Sequence, residues 1–401
     1  MENTNPLAPE PSIRLSNPIL NTAQSDVIKD RIGLVTPYYV PHIGGVEKHV
    51  EELAQGFKRR GMDVEIITTD ATGKLSAVET VNGVVVRRFR TLMNNDVFLV
   101  SPELGYWLWR HAHRYTLIHA HSYHTPLAVQ AAFACRRYHI PFIVTPHYHG
   151  GGHTPLAKLL HKPYSVLGRW MLRQAKHIFC VSAAEESLLN SHFPYHLPTR
   201  IIPNGVDAAA YEGIQPLDRP ADTCIILAAG RLEHYKHTVG LVEALVHLPK
   251  QYHLVVIGDG PARDVLHQRV KTLGLEDRVQ VLGYVARSEL IRWFCTADVF
   301  ASLSAQEAFG MTLLEAAYGG AAVVASDIPA HREASQYLPS NQIRFVPLHE
   351  TPDEIAQVIQ HASSIAIRNE PPASYQTRIP TWQQITDDVL QTYQQLIARA
   401  V

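Results

Sequence analysis

Short, continuous apolar runs alternate with amphipathic stretches along most of this chain. The runs Ile32–Thr36, Val64–Thr68, Val84–Arg88, Leu117–Ala120, Phe142–Thr145, His177–Val181 and Arg200–Ile202 lack the in–out alternation of a half-exposed sheet. Such runs predict strands of a parallel sheet covered on both faces. Between them apolar residues recur at helical spacing, as in Val46–Arg60 and Pro126–Arg137. Pro203-Asn204-Gly205-Val206-Asp207 then breaks the series with turn residues, and polar sequence follows to about Asp222. A second series runs through Cys224–Ala229, His253–Ile257, Val279–Leu282, Val299–Ser302, Ala322–Ala325 and Ile343–Val346. Trp382–Ala400 is helical in pattern, behind a linker holding Pro371, Pro372 and Pro380.

Two strand–helix series predict the α/β class, as two Rossmann-like, doubly wound domains. The boundaries read as a flexible tail at 1–30, a first domain at 31–205, a second at 206–380 and a C-terminal helix at 381–401. The length of 401 residues suits that division, and 46% apolar residues suffice for large cores. No uncharged apolar run approaches the roughly 18 residues that span a bilayer. The tail has no apolar segment of the signal-peptide kind. Cys135, Cys180, Cys224 and Cys295 are widely spaced, which gives neither a disulfide framework nor a cysteine zinc site and fits a reducing, cytoplasmic setting.

The net charge of −1 excludes nucleic-acid binding by bulk charge, yet it hides an asymmetry. Residues 31–205 carry 19 Lys and Arg against 11 Asp and Glu, whereas residues 206–401 carry 15 against 22. No acid occurs between Glu103 and Glu185, where there are nine basic residues. Ten of the 23 histidines fall between His111 and His161.

Three elements carry candidate chemistry. Gly44 and Gly45 precede Val46-Glu47 between the first strand and the first helix, where paired glycines let main-chain N–H groups approach an anion. The spacing is neither a dinucleotide fingerprint nor a P-loop, so a plain tight turn is the competing reading. Gly230-Arg231-Leu232-Glu233-His234-Tyr235-Lys236 follows the first strand of the second series, where ligands sit in open α/β sheets. A guanidinium fork and a mobile ammonium suit a diphosphate, although two cations in a surface loop are common. Glu307-Ala308-Phe309-Gly310-Met311-Thr312-Leu313-Leu314-Glu315 places Glu307 in a loop before a helix and Glu315 about one turn into it. The N–H groups near Gly310–Thr312 would face an anion, and the carboxylates would accept sugar or ribose hydroxyls. The competing reading is an amphipathic helix with two solvated acids.

Taken in this order, the elements resemble the retaining glycosyltransferases of family 4, which have the GT-B fold. The resemblance rests on Gly44-Gly45-Val46-Glu47, Ile201-Ile202-Pro203-Asn204-Gly205-Val206-Asp207, Gly230-Arg231-Leu232 with Lys236, Val256-Ile257-Gly258-Asp259-Gly260-Pro261, and Glu307 to Glu315. Val281-Leu282-Gly283-Tyr284-Val285 and Ala297-Asp298-Val299 fit as well, so it covers roughly residues 31–400. It implies that Arg231 and Lys236 neutralise the diphosphate of a nucleotide-sugar, with the Gly44 and Gly45 amides opposite. Glu315 would hold the ribose, Glu307 the donor sugar, and residues near Tyr284 the base, with Phe309, Gly310 and Met311 lining the donor site. His147 would touch the donor sugar and stabilise the transition state. Ala308 and Thr312 depart from the commonest family form, which bears on the donor's identity.

The implied enzyme moves a hexose of mannose or glucose type to a hydroxyl acceptor, with retention and without metal or cofactor. The first domain would bind the acceptor, the C-terminal helix would cross back onto it, and the cleft would close near Asn204–Asp207. His119, His121, His147, His149 and His153 could bind zinc by spacing alone, but no cysteine or nearby acid completes a set, and the expectation is no metal. A nucleotide-sugar 2-epimerase would need acids near the sugar, against the acid-free stretch. A non-catalytic nucleotide- or glycan-binding module is opposed by intact Arg231, Lys236, Glu307 and Glu315.

Residues 155–176 mix Lys158, Lys162, Arg169, Arg173 and Lys176 with Leu156, Leu159, Leu160, Leu167, Trp170 and Leu172. They would suit an anionic membrane surface and a lipid-linked acceptor, or else a helix with a solvated basic edge. Pro163 and Gly168 are expected to break any long helix here.

Overall fold

The computed structural model describes residues 30–365 and 376–400, apart from 43, 93–98, 149 and 151–154 and the side chains of 155–162, 399 and 400. His149, His153, Pro371, Pro372 and all but the last residue of the 1–30 tail lie outside the described residues.

Fourteen described strands form two sheets. The first contains β1 (Arg31–Val35), β2 (Asp63–Asp70), β3 (Val78–Val81), β4 (Val84–Arg90), β5 (Leu117–His121), β6 (Phe142–Thr145), β7 (His177–Cys180) and β8 (Thr199–Ile201). Their order is β3-β4-β2-β1-β5-β6-β7-β8. The second contains β9 (Cys224–Ala229), β10 (Tyr252–Ile257), β11 (Val279–Gly283), β12 (Val299–Ser302), β13 (Ala322–Ser326) and β14 (Ile343–Val346), in the order β11-β10-β9-β12-β13-β14. Every pairing is parallel except β3 with β4. The helices of the first half are α1 (Gly45–Arg59), α2 (Pro102–His111), α3 (Pro126–Tyr138), α4 (Pro155–Gln174) and α5 (Ala183–His192). Those of the second are α6 (Thr238–Leu245), α7 (Arg263–Leu273), α8 (Arg287–Thr296), α9 (Met311–Tyr318), α10 (Pro329–Ala334), α11 (Pro352–Ser363) and α12 (Trp382–Ala400).

The continuous apolar runs follow from cores on both faces of each sheet. Leu117 and Ile143 join one core while their neighbours Ile118 and Val144 join the other. In the second sheet Leu227 and Val255 separate from Ile226 and Leu254 in the same way.

Two features differ from the sequence reading. Strand β3 is additional: its side chains are exposed or half-buried, so it has no apolar run. It pairs with β4 around Asn82-Gly83, both in left-handed backbone (φ 49° and 78°), and Asn-Gly is the dipeptide that such hairpin turns require. The other is α4, a single helix that passes through Pro163 and Gly168 rather than breaking there. Gly168 serves packing: a Cβ there would lie 2.3 Å from the Tyr123 hydroxyl oxygen. Tyr164, next to the proline, donates its hydroxyl to the carbonyls of Tyr123 (2.6 Å) and Thr125 (2.9 Å), so tertiary contacts hold the helix against its local sequence.

Helix α12 belongs to the first domain. Trp382, Ile385, Val389 and Tyr393 join the core under β1 and α1. Arg60 donates to the Asp387 carboxylate (2.6 Å) and to the Gln383 carbonyl (3.0 Å). The chain therefore passes between domains twice, and the passages touch. Val206 N–H donates to the Pro380 carbonyl (2.8 Å), and Trp382 N–H donates to the Val206 carbonyl (3.1 Å). Gly205 permits this approach, because a Cβ there would lie 2.5 Å from the Trp382 nitrogen. Gly205→Ala should push the passages apart and cost about 1–3 kcal/mol, the usual penalty of overpacking. Chemical denaturation checks this, and an unchanged midpoint would show that the junction yields freely.

Candidate active site

Each sheet reverses its winding once, and loops from the strands on either side of a reversal open into a crevice. In the second sheet the reversal lies between β9 and β12, and the loops that follow carry Arg231, Lys236 and Glu307. In the first it lies between β1 and β5, followed by Gly44-Gly45 and His121. The winding alone thus brings the distant motifs to two facing edges.

The Arg231 loop is built on its neighbour. Gly230 N–H donates to the Ile257 carbonyl (2.9 Å), Leu232 N–H to the Asp259 carbonyl (2.9 Å), and Ala262 N–H back to the Leu232 carbonyl (2.9 Å). The backbones are so close that a Cβ at Gly258 (φ 130°) would lie 2.0 Å from the Gly230 carbonyl oxygen. Gly258-Asp259-Gly260 thus supports the cation loop. Arg231 is half-exposed and pairs with Glu233 at 2.9 Å. Lys236 pairs with Glu307, joining two of the sequence-predicted residues directly. Beside them a small open pocket is lined by Gly230, Arg231, Lys236, Ser304 and Thr312. The Ser304 hydroxyl is buried with no hydrogen-bond partner among the described residues.

Glu315 lies on α9, nearly buried, where Arg287 holds its carboxylate. Burial opposes the charge of Arg287, but Glu315 more than offsets it and raises the guanidinium above its usual value. Gly310 takes left-handed backbone (φ 97°) before α9, and His331 packs beneath it. His331 is fully buried, with Nδ1 2.9 Å from the Ser326 carbonyl oxygen and no hydrogen-bond partner for Nε2 among the described residues. Tyr284 is well exposed beside β11. Phe309 would reach a ligand through its backbone. Its ring is buried in the domain core, so it anchors the loop and leaves only its backbone to the cleft.

Across the cleft, Gly45 faces Met311: a Cβ on Gly45 would lie 3.2 Å from Met311 Cε. Ser182 donates its hydroxyl to the Ala308 carbonyl (2.9 Å), and Ala184 N–H at the start of α5 donates to the Glu333 carboxylate (2.9 Å). His147 lies on the first domain's side, in left-handed backbone (φ 46°). Its ring is 5.0 Å from that of His49 and 5.8 Å from that of His121, so it is grouped with these two histidines. His119 is structural: Nδ1 is 2.6 Å from the Tyr393 hydroxyl and Nε2 is 2.8 Å from that of Thr145. Glu185 secures the backbone next to His147 by accepting N–H bonds from Tyr148 (2.5 Å) and Val181 (2.6 Å).

Sequence reasoning missed His49, Arg287, His331, Ser304 and Glu185. His49 had a usable signal, since it follows the glycine motif by one helical turn. The others gain meaning only from contacts distant in sequence.

The facing cleft, the cation loop and the helix-borne acid define a GT-B glycosyltransferase. Residues 43–210 match Glycosyltransferase Family 4, and residues 212–365 match Glycosyl transferases group 1. The chain belongs to glycosyltransferase family 4. It is 30% identical over 326 residues to a D-inositol 3-phosphate glycosyltransferase of Xylanimonas cellulosilytica, covering 71% of this chain and 76% of that protein. It is 28% identical over 324 residues to a component of the human phosphatidylinositol N-acetylglucosaminyltransferase, covering 78% of this chain but 64% of the human protein. Among solved structures, the sucrose-phosphate synthase of Thermosynechococcus elongatus shares the fold with a TM-score of 0.76 at 20% identity, covering 92% of this chain and all of that one. Anabaena HepE in complex with UDP-glucose shares it at 0.70 and 21% identity, covering 90% and 99%. Among the described residues no helix is long and apolar enough to cross a membrane.

Burial pushes Glu185 from 4.5 up to about 8, against the lowering effect of its two backbone N–H bonds. The folded chain therefore keeps a proton that the unfolded chain loses near 4.5. Its contribution to stability is complete below that pH and is lost as pH rises through about 8. Melting temperatures between pH 5 and 9 should fall less in Glu185→Gln than in the parent. Equal falls would show that Glu185 is ionised throughout.

Proposed function

We propose that the chain is a retaining hexosyltransferase that takes a hexose from a nucleoside-diphosphate sugar and passes it to a hydroxyl acceptor. The observation that carries this reading is the Arg231–Lys236–Glu307 group over an open pocket at the second sheet's winding reversal. That position suits a diphosphate, and HepE, which has the same fold, was solved with UDP-glucose.

In this reading the diphosphate enters between Arg231 and Lys236, and the cations stabilise charge that builds on the leaving phosphate. The bond from the sugar's anomeric carbon to the phosphate oxygen breaks, and the acceptor oxygen bonds to that carbon on the same face. The acceptor's proton passes to the leaving phosphate oxygen. His147 contacts the donor sugar, Glu307 its hydroxyls, and Glu315, held by Arg287, the ribose. Two fixed cations neutralise the diphosphate, so the transfer step needs no metal.

A lipid-linked acceptor at the inner face of a membrane fits the outer surface of the first domain. Exposed Trp109, Phe133, Val166 and Leu167 lie among Arg136, Arg137, Arg169 and Arg173, so the basic surface extends beyond residues 155–176. Arg137 lies over the Trp109 ring (4.3 Å) and Arg173 over that of Tyr195 (4.0 Å). The human relative is named for a phosphatidylinositol acceptor.

A thermal-shift series with GDP, UDP and ADP tests the donor site. The cognate diphosphate at 100 times its dissociation constant should stabilise the chain by about 2.7 kcal/mol. The Arg231→Ala, Lys236→Ala double variant should lose the shift. No shift with any of them would favour a non-catalytic module, and the anomeric form of the product decides retention. Flotation with anionic vesicles should recover the chain, and with neutral vesicles it should not. Recovery unaltered in Arg136→Glu, Arg137→Glu, Arg173→Glu would remove the membrane reading.

A further inference from the structure

Three imidazoles converge on the first domain's side of the cleft from three separate elements. His49 comes from α1, His121 from the end of β5 and His147 from the turn after β6. One nitrogen of each lies within 4.8 Å of those of the other two. The sequence reading placed no cysteine or acid near the β5 and β6 histidines, and the fold brings another histidine to them from α1.

Their surroundings prepare them as ligands. His49 Nδ1 is 2.6 Å from the Asn204 side-chain oxygen. That oxygen can only accept, so Nδ1 carries the hydrogen and Nε2 keeps its lone pair. A ring whose second nitrogen donates to a fixed oxygen is the usual support for a metal-bound histidine. His121 is completely buried, and neither of its ring nitrogens has a hydrogen-bond partner among the described residues. A native core rarely leaves such a group unsatisfied, and an ion is one of the things that satisfies it. His119 stands beside His121, but both of its nitrogens are engaged by Tyr393 and Thr145.

We propose that His49, His121 and His147 form a three-nitrogen site for a divalent transition metal of the zinc type. A set of three neutral imidazoles favours Zn²⁺, Co²⁺ or Cu²⁺ over Mg²⁺ or Ca²⁺, which prefer oxygen. A fourth position is left for water, as in other three-histidine zinc sites. The site is distinct from the pocket beside Arg231 and Lys236. Under the functional reading above, on which this consequence rests, the ion takes His147 from the donor sugar. It therefore inhibits transfer and does not assist it.

The test uses the full chain without a histidine tag, freed of metal by a chelator and titrated with Co²⁺. One equivalent should bind with the intense visible absorption of four-coordinate cobalt, and Zn²⁺ should displace it. His121→Ala and His147→Ala should each lose about 100-fold in affinity, while His113→Ala, on the surface, should bind as the parent does. Asn204→Ala should lose about 10- to 100-fold through the supporting bond to His49. His147 is half-buried at the cleft, so its variant keeps the experiment decisive if His121→Ala fails to fold, with melting curves identifying folded variants. Absence of the absorption, or an absorption unchanged in His147→Ala, overturns the site. Zn²⁺ should also slow transfer over the concentration range in which it displaces Co²⁺. Binding without inhibition would sustain the metal site and remove the sugar-contact role of His147.

Discussion

Two backbone hydrogen bonds at Val206 tie the chain's passages between domains into one parallel bridge, and the geometry of the cleft depends on them. A single linker would leave the domains free to twist, whereas two bonded passages confine their motion to bending about one axis. The histidines lie beside that axis: His49 is bonded to Asn204 and has the Trp382 ring edge-on at 5.2 Å. The contact of Gly45 with Met311 is made by the loops across the cleft. Bending should therefore displace the loop tips most and the imidazole cluster least.

Each donor-side cation already has a carboxylate partner, and the pairs differ in what they do. Arg231 with Glu233 is half-exposed, and such pairs contribute about 0–1 kcal/mol. Lys236 with Glu307 and Arg287 with Glu315 are more enclosed, so removal of one member would strand a charge away from water. Each pair holds its cation in position, so an anion binding there would meet charges already placed. The Lys236–Glu307 pair borders the pocket, and an entering diphosphate would compete with Glu307 for the ammonium.

Much of this was legible in the sequence, for a physical reason. Strands covered on both faces must be apolar throughout, so thirteen of the fourteen could be located as continuous runs. Strand β3 could not, since its exposed positions carry no burial signal, although Asn82-Gly83 announced its turn. Local rules failed at α4, where Tyr123 and Tyr164 stabilise a helix that Pro163 and Gly168 oppose. At the site, the motif residues were legible because loops at a winding reversal need unusual local chemistry. Arg287 and Ser304 were not, because neither departs from its local pattern; partners remote in sequence give each its place. The burial of the Phe309 ring was not legible, because adjacency in a motif says nothing about which way a side chain turns.

The unequal charge of the two halves acquires a different meaning once side chains are placed. The basic first half suggests an anion site, yet on its side of the cleft His49 and His121 are buried, and burial lowers their proton affinity. Its surplus lies outside, on exposed Arg110, Arg114, Arg136, Arg137, Arg173 and Lys176. The candidate diphosphate cations instead belong to the acidic second half, where local pairing and not net charge sets the potential. Salt screens exposed charges beyond about 8–10 Å, so a half's total charge acts mainly at its own outer surface. The basic excess is therefore a property of the first domain's outer surface and not of its cleft. On the proposed reading, transfer would depend on a few paired groups that the total conceals.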